Sequence, residues 1–239
     1  MYAGSGNISR EVVIEHLVNI ARELESIIVA INNTFDSSSL PRAEVVDKLF
    51  RQDLVMSKDR IEKSIAQLLL YIASGRIELV DSKELILRVT EGYRDIVTKL
   101  EAFIHRIKLA KRAGIEFDDK IFKRMKEMLN HIAEASGHIT TLARLSGRAL
   151  GNHDVARMME TRNDKVQEIE RLVDDLYREV LDTLIDTAND FKKYILIRDA
   201  INMLEDTMDM LSKLSLNYFI LGVGMATSAA GGGGTAYEM

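Results

Sequence analysis

The chain has 239 residues, 46% of them hydrophobic and 29% charged, with a formal net charge of −5. It contains no cysteine, which excludes disulfides, cysteine nucleophiles, thiolate zinc sites and iron–sulfur clusters, so any metal must be held by oxygen or nitrogen. The acidic balance disfavours nucleic acid as a partner of the whole chain, and the single proline, Pro41, argues against the many turns of an all-β domain.

Apolar residues recur every three or four positions almost throughout, and the breaks between these runs predict six helices. The first runs from about Ser9, read as its N-cap, to Asn32, and is followed by a polar loop at 33–39. The second starts near Pro41, a favoured first-turn residue, carries Val45, Leu49, Ile61, Ile65, Leu68 and Ile72, and stops at Gly75. The third spans about Asp81 to Ala113 and is closed by Gly114. The fourth follows the acids Glu116 to Asp119 and continues to about Leu150. Gly151 and Asn152 separate it from the fifth, which reaches about Asn189, and the sixth runs from about Phe191 past Leu216. Helices this long fit an all-α, elongated antiparallel bundle. The segment Leu216 to Ala230, which leads into Gly231 to Gly234, is nearly uncharged and too short to span a bilayer, so it reads as a docking or disordered tail. The N-terminus lacks a signal-peptide pattern, and the expected location is cytoplasmic. The domain reading is one helical unit at 1–220, made of repeats at about 9–113 and 116–220, with a Gly-rich tail at 221–239.

The second and third helices can be laid on the fifth and sixth. Asp59 then matches Asp174, Ile61 and Ile65 match Leu176 and Val180, and Thr90 to Asp95 matches the run ending in Asp209. A carboxylate pair at i and i+4 recurs as Glu91/Asp95, Glu170/Asp174 and Glu205/Asp209, while the fourth place holds Val55 and Asp59. Each pair lies on one helix face a turn apart, so two pairs on adjacent antiparallel helices bring three or four carboxylates together. Such a group repels itself unless a cation sits among its members or some are protonated. Its position off the apolar stripes predicts a cluster exposed on the bundle surface, with Glu170 and Asp174 at the edge of their seam. Any one acidic pair has a solvated helix face as its ordinary explanation, and it is the recurrence in both halves that favours a metal site.

The runs Glu170-Arg171-Leu172-Val173-Asp174 and Leu204-Glu205-Asp206-Thr207-Met208-Asp209 resemble the PhoU-like proteins, in particular the branch of accessory proteins of Pit-type phosphate transporters. The resemblance covers roughly Pro41 to Leu216. It implies two similar three-helix bundles, surface metal clusters bound by the repeated Glu-x-x-x-Asp pairs, and a role in controlling phosphate transport. Residue by residue, it makes Glu170, Asp174, Glu205 and Asp209 one candidate metal site, and Asp59, Glu91 and Asp95 the other. Val55 stands where an acid is expected, which leaves the first-half site one ligand short, and Glu62 replaces it only with a different geometry. Carboxylate ligands favour hard cations such as Mg²⁺, Ca²⁺, Mn²⁺ or Fe³⁺, with Zn²⁺ as a further candidate.

None of the histidines (His16, His105, His131, His138 and His153) has Glu three residues before it, so the Glu-x-x-His pairing of ferritin-like di-iron bundles is missing. No phosphate-cradling glycine loop or nucleophile triad is recognisable. Between Arg106 and Lys126 eight Lys or Arg face only Glu116, Asp118 and Asp119, which reads either as a solvated helix turn or as a contact for anionic lipid or an acidic partner. From Glu160 to Asp209 fourteen acids face seven bases, so charge is segregated along the chain. The expected function is that of a non-enzymatic, metal-binding regulator contacting a phosphate transporter or its sensing machinery at the membrane face, with homo-oligomerisation through exposed helix edges. A scaffolding bundle without metal, and a metal-dependent hydrolase, are the competing readings.

Overall fold

The computed structural model describes residues 5–35, 41–74, 83–187 and 190–228, and these residues are helical with no strand. The helices are α1 (Ser5–Thr34), α2 (Ala43–Lys48), α3 (Val55–Ala73), α4 (Lys83–Arg112), α5 (Asp119–Ser146), α6 (His153–Thr187) and α7 (Phe191–Ser228). A π-helical turn, Leu49–Leu54, joins α2 to α3 without a break, so six continuous helical runs result among the described residues.

Local chemistry accounts for most of the boundaries. Asp118 caps α5 by accepting a hydrogen bond from the Lys120 amide at 2.8 Å. Asn152 caps α6 through Oδ1, which accepts from the amides of Asp154 and Val155 at 3.1 and 3.2 Å. Gly114 and Gly151 take left-handed φ angles of 67° and 63°, which a side chain would resist, at the exits of α4 and α5. Three expected limits differ. α1 begins at Ser5, which puts Ser9 inside the helix and not at its cap. Pro41 lies before the N-cap Arg42, not in the first turn. α5 ends at Ser146 with Gly147 as C-cap, four residues short of Leu150. The expected stop at Gly75, the start at Asp81, Asn189 and the glycines at 231–234 lie outside the described residues.

The reading of Leu216 to Ala230 as a tail is overturned as far as Ser228. α7 continues through it, with Tyr218, Leu221, Met225 and Ala226 at most 2% exposed. The segment lacks charge because it is a buried helix end, not because it is unstructured. Gly222 passes beneath Met159 of α6, so close that an added Cβ would fall 2.3 Å from Sδ.

Two helices form the spine. α7 packs along α4, α5 and α6, and α5 packs along α1, α6 and α7. α1 with α5, α4 with α7, and α6 with both α5 and α7 run antiparallel, so α5 and α7 lie parallel. Ala21 and Ile14 of α1 meet Thr140 and Gly147 of α5, and Lys99 and Arg106 of α4 meet Asp206 and Asp199 of α7. Ile, Leu and Val fill the interior, and two fully buried tyrosines, Tyr93 and Tyr218, join their hydroxyls across α4 and α7 at 2.8 Å. That bond lets two polar groups sit in an apolar core without losing a partner.

Candidate metal centre

The α6–α7 contact is a seam of polar pairs in constant antiparallel register. At one end Ser215 donates to Asn163 Oδ1 at 2.7 Å; next, Ser212 donates to Gln167 Oε1 at 3.0 Å and accepts the Gln167 amide on its carbonyl at 3.3 Å. At the other end Tyr177 donates to Asn202 Oδ1 at 2.9 Å. Between these pairs stand Glu170 and Asp174 on α6, level with Asp209 and Glu205 on α7. Steps of three or four residues keep each set on one face of its helix. Uncharged hydrogen-bonded pairs thus bracket a purely acidic middle.

Glu170, Asp174 and Asp209 each offer a carboxylate oxygen, and these oxygens lie within 4.8 Å of one another. All three are half-buried. Burial, and then the charges of Asp174 and Asp209, raise the Glu170 carboxyl above its ordinary value. Glu205 is pushed up to about 7, by burial first and then by Asp209, Asp206 and Asp174. Cations flank the group: Arg178 pairs with Asp174 at 3.7 Å and Lys213 with Asp209 at 3.6 Å, while Lys99 is engaged with Asp206 at 2.7 Å. Three or four hard oxygen donors at this spacing suit a hard divalent or trivalent cation.

The cluster is half-buried in the α6–α7 seam, with the Asp174 and Asp209 side chains still 30% and 38% exposed. α7 is covered on three sides, so Glu205 and Asp209 lie off the Leu204, Met208 and Leu211 stripe yet still face α6. The second predicted group behaves differently. Asp59, Glu91 and Asp95 are all exposed, and none joins a group of three carboxylates at ligating distance among the described residues. In the repeat alignment Lys58 would stand level with Gly92. It instead bonds Glu101 at 2.7 Å, nine residues along α4, and Asp47 bonds Lys108. α3 touches α4 only sparsely, whereas α6 lies along the full middle of α7.

The amide and hydroxyl pairs at Asn163, Gln167, Ser212 and Ser215 were not singled out by the sequence, although their heptad-like spacing on the same face as Glu170 was a usable signal. His138, half-buried, sits 3.4 Å from an Arg162 nitrogen on α6, and His131 lies 3.8 Å from Glu134; neither enters the acidic group. Part of the basic stretch is absorbed by ion pairs, Arg106 with Asp199, Lys108 with Asp47, and Arg124 with Glu127 and Glu179. No family model and no curated protein matches the chain.

Proposed function

We propose that the protein is a non-enzymatic, metal-binding regulator of the PhoU-like type, built of two three-helix repeats and acting by contact on a phosphate transporter or its sensing machinery at the membrane face. The carboxylate group of Glu170, Asp174 and Asp209, with Glu205 beside it, is the observation that carries the metal clause. The repeat clause rests on the sequence correspondence of Asp59, Glu91 and Asp95 with Asp174, Glu205 and Asp209. The phosphate-transport clause rests on the resemblance of the helix runs around these acids.

Titration with Mn²⁺, Mg²⁺ and Fe³⁺ followed by calorimetry and elemental analysis tests the site. The wild type is expected to bind, and Glu205→Ala with Asp209→Ala to lose binding; no binding by the wild type sinks the metal clause. Co-purification with a membrane transporter from native cells tests the contact clause, and its repeated absence counts against it. The proximity of Arg178 and Lys213 to the acids favours a second reading, a scaffolding bundle whose acids are balanced by their own cations. Turnover in a phosphoesterase assay with added metal identifies the third reading, a hydrolase.

A further inference from the structure

At the end of the bundle where α4 finishes and α7 begins, the two helices leave an open groove of about 550 Å³. Leu109, Ala113, Ile195 and Leu196 form its walls, and its charged lining residues are Arg112 and Lys192, both cations. Phe191 stands at its lip, 76% exposed, and Ile185 in the last turns of α6 is 67% exposed. Lys193 adds to the same sign of charge, while Asp190 caps the start of α7 by accepting the Lys192 amide at 3.1 Å. An exposed aromatic side chain beside an apolar groove is costly in water unless something covers it.

We infer that this tip docks on an anionic phospholipid surface, with Phe191 entering the acyl boundary and Arg112, Lys192 and Lys193 meeting the phosphate headgroups. Three observations select this occupant. First, the groove's side chains offer donors from two cations and no acceptor, which suits an acyl chain below a phosphate and leaves an extended peptide's amides unmatched. Second, a second copy joined through the same face would set Arg112 and Lys192 against their own counterparts. Third, the chain's own C-terminal residues are out of reach. α7 has 38 residues and is about 57 Å long at 1.5 Å per residue, and the eleven residues after Ser228 span at most about 40 Å when extended. The basic stretch around the α4–α5 turn thereby gains a use that its internal ion pairs leave open at Arg112. The inference stands independently of the metal site.

Co-sedimentation of the full chain with vesicles tests it, comparing phosphatidylcholine alone with phosphatidylcholine plus phosphatidylglycerol. Binding to the anionic vesicles only, weakened by salt, is expected. Arg112→Glu with Lys192→Glu should cut it roughly tenfold or more, and Phe191→Ser should reduce it at unchanged helicity by circular dichroism. Glu170→Gln with Asp209→Asn should keep vesicle binding while losing metal, which separates this inference from the metal reading. Absence of anionic-vesicle binding, equal binding to neutral vesicles, or variants that bind like the wild type would overturn it. So would a dimer in sedimentation velocity that dissolves on Phe191→Ser, because a second copy would then be the occupant.

Discussion

Glu205 carries the most informative charge in the molecule. Its folded carboxyl titrates near 7 against 4.5 in its ordinary state, because it is partly buried and faces Asp209, Asp206 and Asp174. A raised acid holds its proton in the folded chain after the unfolded chain has lost it, so stability of the metal-free protein falls as pH rises from about 4.5 to about 7 and levels off above that window. Thermal melts across pH should show that slope in the wild type and a flatter profile in Glu205→Gln; identical slopes would mean that the group does not titrate in this environment. Cation binding displaces the same proton, so affinity is expected to weaken as pH falls through 7. Tyr218 gives a second prediction at this scale. Tyr218→Phe leaves the buried Tyr93 hydroxyl without a partner and should cost about 1–3 kcal/mol, and adding Tyr93→Phe should recover part of that cost in urea melts.

At the scale of elements, the seam between α6 and α7 explains why one group of acids assembles and the other does not. Hydrogen-bonded pairs at Asn163–Ser215, Gln167–Ser212 and Tyr177–Asn202 lock the register on both sides of the carboxylates. α3 and α4 lack such a column, and Lys58–Glu101 sets a different register. Spacing in the sequence therefore specified which acids share a helix face, but not which faces meet. Helix existence was legible, because apolar period, the Asp118 and Asn152 caps and the Gly114 and Gly151 exits all act locally. The end of α7 was not. Its uncharged residues look alike whether they are buried or unstructured, and only the packing of Met159 over Gly222 and of Leu221 and Met225 into the core decides between the two. Removing 221–239 strips two large buried side chains, each worth about 1.5–3 kcal/mol, whereas removing 229–239 leaves them in place. The first truncation should lower the melting temperature by many degrees and the second should barely change it; equal effects would contradict a packed helix end.

Over the whole molecule the two ends and the middle divide the work. The carboxylates lie midway along the α6–α7 contact, and one tip carries an apolar groove lined also by Arg112 and Lys192. Among the described residues no helix is long and apolar enough to cross a membrane. The proposed metal site and the proposed docking tip involve different parts of the same helix, α7. The central claim is that Glu170, Asp174, Asp209 and Glu205 together hold a metal ion. Anomalous scattering from crystals grown with Mn²⁺ measures this directly. A peak between α6 and α7 within bonding distance of these carboxylates, absent in Glu170→Gln with Asp209→Asn, is the predicted result. Crystals of the wild type with Mn²⁺ elsewhere, or with Arg178 and Lys213 closed onto the acids and no peak, would contradict the claim.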